Sequence, residues 1–227
     1  MTKILALLPM KGNSERVPNK NLKFFCGRPL YHYVLENLLN SKHIQKVIIN
    51  TDSNDIKEDA LKNFRDHIII HDRPLEIQGD YISMNKIIEN DLSNSKADIY
   101  IQTHSTNPLL STKTIDKAID LMFTTKFMSQ YDSIFSVTKI QTRLYNESGE
   151  PFNHNPQELL RTQDLPPLFE ENSNFYIFTK QSFINNGKNR IGKNPKLFEV
   201  DKIEAIDIDV QQDFLIAESL YKILKSK

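Results

Sequence analysis

The chain is poor in cysteine, balanced in charge and short of long apolar runs. One cysteine, Cys26, in 227 residues excludes an intrachain disulfide framework and a multi-cysteine zinc site. Lys+Arg and Asp+Glu stand at 29 each, which argues against a generic nucleic-acid binder or a protein held on an anionic membrane. No apolar run approaches 18 residues, so no membrane span is expected. The apolar stretch at 4–9 is too short for a secretory signal, and a cytoplasmic location is the expectation. The phosphate-binding patterns GxxxxGK[ST] and GxGxxG are also missing. What is present is the composition of a soluble globular protein: 39% hydrophobic, 13 Phe and 8 Tyr, 26% charged.

Short apolar runs alternate with helix-patterned stretches. Residues 4–9, 46–50, 67–71, 98–103 and 132–137 read as buried strands. Residues 30–41, 55–63, 82–92 and 114–123 read as helices. Ile115, Ala118, Ile119 and Met122 form a stripe at helical spacing. The alternation implies an α/β protein with a mostly parallel sheet covered on both faces. Residues 139–172 are polar and carry Pro151, Pro156, Pro166 and Pro167; so long an irregular stretch predicts an arm that covers a site or meets a partner. Strand signals return at 175–179 and 203–208, and a helix over 210–224 closes a single domain spanning 1–227.

The first loop concentrates charge. Between Met10 and Lys23 lie Lys11, Arg16, Lys20 and Lys23 against one anion, Glu15. In an open α/β sheet ligands bind beyond the carboxyl ends of the strands, where this loop follows the first strand. Clustered cations and backbone N–H groups there suit a polyphosphate; a solvated basic loop is the plain alternative. Near the other end, Asp207 and Asp209 alternate as on one strand face. Two such carboxylates suit Mg²⁺, but Asp209 with Gln212 three residues on also has capping-box spacing, and the residues alone favour the cap. His67 and His71 share a strand face without a third ligand, and Cys26 has no triad partners; neither predicts a site.

The segment Pro9-Met10-Lys11-Gly12-Asn13-Ser14-Glu15-Arg16-Val17-Pro18-Asn19-Lys20-Asn21 resembles the P-A-R-x-x-S-x-R-x-P-x-K-N signature of the CMP-N-acylneuraminate cytidylyltransferases. Further similar motifs follow in order: Gly27-Arg28-Pro29-Leu30, Thr51-Asp52, Arg73-Pro74-Leu75-Glu76, Asp80-Tyr81-Ile82-Ser83, Thr106-Asn107-Pro108-Leu109, Arg161-Thr162-Gln163-Asp164-Leu165-Pro166, Asn172 to Ile177, and Ile206-Asp207-Ile208-Asp209. The resemblance covers essentially the whole chain. It implies a three-layer Rossmann-like nucleotidyltransferase fold with a small dimerisation excursion, and a reaction in which CMP passes from CTP to the anomeric hydroxyl of a sialic-acid-like 2-keto sugar acid, releasing pyrophosphate. Mg²⁺ is the implied cofactor and a homodimer the implied assembly.

The resemblance also implies roles. Lys11, Lys20 and Asp209 are the catalytic candidates, Lys11 standing where the family has arginine and so lacking the bidentate fork. Lys11, Ser14, Arg16, Lys20, Asn21, Arg73 and Ser83 map to nucleotide binding, Arg73 near the cytosine. His104, Thr106, Asn107, Arg161 and Gln163 map to the acceptor. Asp209 becomes the first metal ligand and Asp207 the second. Departures gather on the acceptor side: His104 stands for a sugar-contacting glutamine, Asn107 for serine, Leu110 for arginine, Thr162 for a second arginine, and Asn172-Ser173-Asn174 for N-G-A. They point to an acceptor other than N-acetylneuraminate. The rival readings are a nucleotidyltransferase for another keto acid, phosphorylated or phosphonate acceptor; a GT-A-like glycosyltransferase, from the DxD spelled by Asp207-Ile208-Asp209; and a non-catalytic nucleotide-binding scaffold.

Overall fold

The computed structural model describes residues 2–158 and 160–226. Strand β1 (Ile4–Leu7) is buried along its whole length, as a continuous apolar run must be when both faces of a parallel sheet are covered. A two-residue hairpin, β2 (Phe24–Phe25) and β3 (Arg28–Pro29), leads into helix α1 (Leu30–Leu39). Then come β4 (Ile44–Thr51), α2 (Asn54–Phe64), β5 (Ile68–Asp72), α3 (Met84–Ser93), β6 (Ile99–Thr103), α4 (Thr112–Met122), α5 (Thr125–Gln130), β7 (Ser133–Ile140), β8 (Leu168–Phe178), α6 (Lys180–Asn185), β9 (Pro195–Glu199) and α7 (Gln211–Lys225). The seven-stranded sheet has the order β5-β4-β1-β6-β8-β7-β9. Only β8 runs against the others, so the sheet is mostly parallel, as expected.

Period-two alternation along β1 builds the three layers. Ile4 and Ala6 point into a core shared with α1, α2 and α4, where the Ile115–Ala118–Ile119–Met122 stripe packs. Leu5 and Leu7 point to the opposite face, against Ile88 and Leu92 of α3 and Phe183 of α6. Ser53, Ser83 and Ser111 cap α2, α3 and α4 with their side chains, as short hydroxylated residues do at helix starts. A third, smaller core of Phe25, Leu30, Tyr33, Ile208, Phe214 and Ala217 seats α7 against the hairpin and α1.

Several expectations are corrected. Residues 203–208 form no strand: their backbone makes turns and then extended coil. The coil is fixed by Ile208 N–H donating to Thr106 O at 2.9 Å, by side-chain donors to its carbonyls, and by burial of the Ile208 side chain. The sheet edge is taken instead by β9, which opens on Pro195, a residue tolerated at a strand start and on an edge. Asp209 caps nothing; the carboxylate at the start of α7 belongs to Asp213, which accepts from Asp209 N–H at 3.0 Å and Val210 N–H at 2.8 Å. His67 lies in a 3₁₀ turn before β5, and His71 is bound to Asp91. The stretch 139–172 is not irregular throughout. Its two ends extend β7 and β8 as an antiparallel ribbon through the Lys139–Phe169 and Ile140–Leu168 pairs, with 141–167 between them.

Candidate active site

The basic loop leaves β1 beside β4 and is held there by backbone. Met10 N–H donates to Asn50 O at 2.9 Å and Gly12 N–H to Asp52 Oδ1 at 2.7 Å. A Cβ on Gly12 would sit 2.8 Å from that of Ser53, so only glycine allows this approach. Buried Arg73, at the end of β5, donates to Asn50 Oδ1, Asn50 O and Met10 O at 2.8, 2.8 and 3.1 Å. Its guanidinium is thus a strut for the loop, and burial lowers its pKa against the nearby Asp52 and Asp91. Asn19 takes a left-handed conformation, φ 51°, and turns the chain into a 3₁₀ turn over Lys20–Leu22. There Asn21 is buried, donating to Lys11 O at 3.0 Å and accepting from Ser105 Oγ at 2.6 Å.

The far end of the chain meets this loop. Ile208 buries its side chain between Phe25 and Phe214, and so places Asp207 and Asp209 at the loop's rim. Arg16 Nη2 reaches Asp209 Oδ1 at 2.8 Å. Lys20 Nζ donates to Ile208 O at 2.6 Å and lies 3.8 Å from Asp209. Desolvation lowers the Lys20 pKa, with Asp207 and Asp209 working against it. Asp207 is shifted upward, chiefly by burial, and its Oδ1 is buried without a hydrogen-bond partner.

These groups line one cleft of about 470 Å³, within the usual size of a small-molecule site. It brings together Lys11, Ser14, Arg16, Lys20, Asn21, Arg73, His104, Thr106, Asp207 and Asp209. His104 stands at the end of β6; burial, then Arg190 and Lys20, push its pKa down to about 4. The ring is therefore neutral near pH 7, with Nε2 buried and unpartnered.

Four expected residues lie outside the lining. Ser83 accepts from Asn85 N–H as the cap of α3. Asn107 is fully buried and ties Asn174 and Ile206 O together. Arg161 pairs with Asp164 at 2.7 Å in the exposed arm, and the Gln163 carbonyl accepts from Gln141. Sequence reasoning missed Asp80, which pairs with Lys11 and whose pKa that contact lowers. It also missed Ser105, whereas Ser173, part of the Asn172-Ser173-Asn174 departure expected near the acceptor pocket, does line the cleft. Ser173 reaches the cleft because β8 carries extra residues between the Phe135–Tyr176 and Val137–Glu171 pairs, with Ser173 left-handed at φ 58°.

The cleft combines cations for a polyphosphate, two carboxylates, and a neutral imidazole flanked by serine and threonine hydroxyls. Among the described residues no three His, Cys, Asp or Glu side chains gather to hold a metal by themselves. No described helix is long and apolar enough to cross a membrane.

Comparison with known proteins agrees with this chemistry. Residues 5–223 match the cytidylyltransferase family. The chain is 30% identical to a pseudaminic acid cytidylyltransferase of Campylobacter jejuni over 97% of both proteins. It is 31% identical to N-acylneuraminate cytidylyltransferase A of Danio rerio over 95% of this chain and 50% of that one. Among solved structures, a CMP:2-keto-3-deoxy-manno-octonic acid synthetase complexed with CTP superposes with a TM-score of 0.70 at 15% identity, covering 98% of this chain and all of that one. The glycosyltransferase and scaffold readings fall with these matches. The chain belongs to the cytidylyltransferase family, of the CMP-sialic acid synthetase type, and is a CTP-dependent nucleotidyltransferase.

Proposed function

We propose that the enzyme transfers CMP from CTP to the anomeric hydroxyl of a sialic-acid-like 2-keto sugar acid other than N-acetylneuraminate, and releases pyrophosphate. The observation that carries this reading is the shared cleft, lined by Lys11, Arg16 and Lys20 of the loop, by His104 and Ser173 from the sheet, and by Asp207 and Asp209. The acceptor hydroxyl oxygen attacks the α-phosphorus as its proton passes to solvent and the bond to the β-phosphate breaks, so charge grows on phosphate oxygens. Fixed cations in a half-buried cleft stabilise that charge. Lys20 and Arg16 exchange their contact with Asp209 for triphosphate oxygens, and Lys11 does the same with Asp80. Ser14 and Asn21 shape the loop around the phosphates, and Arg73 holds the loop in place.

The residues present fit Mg²⁺. Asp207 Oδ1 has no partner and Asp209 lies on the same rim; two carboxylates with phosphate oxygens and water make the ligand set this ion favours. When bound, the ion neutralises triphosphate charge and polarises the α-phosphoryl group. On the acceptor side, neutral His104 offers one donor and one acceptor, beside Thr106 and Ser173.

Support for an acceptor other than N-acetylneuraminate comes from His104, whose reach differs from that of a glutamine amide. A site built for particular hydrogen bonds rejects analogues that leave those groups unpaired. The test is kcat/KM with CTP and Mg²⁺ across pseudaminate, legionaminate, N-acetylneuraminate and shorter 2-keto acids. N-acetylneuraminate is expected to trail; its leading the panel would defeat the acceptor assignment.

The arm supports a homodimer. Tyr145, Phe152, Leu160 and Phe169 expose large apolar surface on it and on the adjoining ribbon. Arg161 and Gln163, outside their own cleft, would then serve the partner's acceptor end.

A further inference from the structure

We propose that Arg190 is an acceptor-specificity residue, supplying the positive charge that meets the acceptor's carboxylate beside His104 and Ser173. This rests on the sugar-acid reading above.

Arg190 comes from the loop between α6 and β9, and its side chain is only 16% exposed. Nη1 donates to Oε1 of the fully buried Gln102 at 2.6 Å. The guanidinium lies over the Tyr176 ring, 3.5 Å from its centroid. Arg190, Gln102 and Tyr176 stand one layer behind the cleft lining rather than in it, but both contacts adjoin residues that line it. Gln102 is two residues before His104 on the same side of β6, and the Tyr176 hydroxyl is 3.2 Å from Ser173 Oγ. Arg190 N–H also meets Asn85 Oδ1 at 3.3 Å, next to the cleft-lining Met84.

A buried cation is costly unless something pairs with it. The carboxylate nearest to Arg190, Glu171, stands off at 3.8 Å, beyond hydrogen-bond length, and its Oε1 already accepts from Tyr176. A guanidinium has five N–H donors in a fork that matches a carboxylate bidentately. Gln102 and Tyr176 hold that fork in one orientation, so little freedom is lost when it engages an anion. The loop cations would serve the triphosphate; of the two cations whose charge bears on His104, Arg190 acts more strongly than Lys20.

The test measures kcat/KM for the best acid of the panel above and for its carboxamide, in wild type, Arg190→Met and Arg190→Lys. In wild type the acid is expected to lead the amide by roughly ten- to hundredfold, the usual worth of a hydrogen bond to a charged group. In Arg190→Met the lead should shrink below about threefold with the KM for CTP unchanged, and in Arg190→Lys it should be intermediate. Because the ratio is internal to each variant, a loss of stability cancels from it. If acid and amide fall equally in Arg190→Met, the arginine is only a structural strut and this proposal is overturned while the sugar-acid reading stands. A wild type that turns over no acid of the panel above overturns that reading, and the proposal with it.

Discussion

Arg16 and Asp209 are 193 residues apart in the chain and 2.8 Å apart in space. Their pairing joins the loop after the first strand to the coil before the last helix, and makes one rim from the two ends of the sequence. The cation suits a phosphate and the carboxylate suits a metal, so each partner holds the other in the place where its ligand would be met. Lys20 stands behind this pair, its ammonium on the Ile208 carbonyl. An exposed ion pair of this kind contributes little to stability; its value is positional.

Lys20→Ala should reduce kcat/KM for CTP by roughly ten- to hundredfold, the equivalent of losing ~1.5–3 kcal/mol of charge-assisted contact. Steady-state kinetics with CTP varied at saturating acceptor will show it. An unchanged value would place the triphosphate elsewhere.

Asp209 and Asp213 should separate cleanly. Asp209→Asn is expected to collapse turnover and its magnesium dependence while the melting temperature barely moves, because the side chain is half-exposed and caps no helix. Asp213→Ala should do the reverse. It removes the acceptor for Asp209 N–H and Val210 N–H, costs about 0.5–2 kcal/mol as lost caps do, and leaves the magnesium dependence intact. Full activity in Asp209→Asn would end the metal assignment.

His104 gives the enzyme an acid-sensitive term. Its folded-state pKa is about 4 against 6.5 for a free imidazole. As pH falls through that window the unfolded chain takes up a proton that the folded chain refuses, so stability is lost on acidification and is complete above pH 6.5. The difference corresponds to about 3 kcal/mol, or on the order of 10 °C for a domain this size. Melting curves at pH 7 and pH 4.5 should therefore diverge more in wild type than in His104→Gln. Equal divergence would show that the imidazole titrates normally.

The layered sheet was legible because its strands are apolar runs and its helices carry stripes; both periods follow from burial alone. The loop after β1 was legible because four cations in fourteen residues stand out against a neutral chain. Residues 203–208 misled because Ile206 and Ile208 alternate like a strand, yet each packs singly against a helix or hairpin. Asp80 and Arg190 were silent because their importance lies in a tertiary neighbour, Lys11 in one case and Gln102 in the other, which no local spacing reveals. Ser173 depends on a bulge in β8 whose cause is the pairing with β7 rather than any turn signature.

Assembly is a separate prediction. The apolar residues on the 141–167 arm and the ribbon should bury against a second copy, as two-fold pairing is the commonest closed arrangement. Sedimentation at micromolar concentration is expected to give twice 26.4 kDa, and replacing Phe152 and Tyr145 with serine should shift it toward monomer. A monomer in the unaltered protein would contradict this.

The central claim is tested most directly by product stoichiometry with CTP, Mg²⁺ and a sialic-acid-like 2-keto acid such as pseudaminate. The account predicts one pyrophosphate released for each CMP-sugar acid formed, and none when the keto acid is left out. Tight CTP binding without pyrophosphate release across the panel of keto acids, or pyrophosphate formed without a CMP-linked acid, would contradict it.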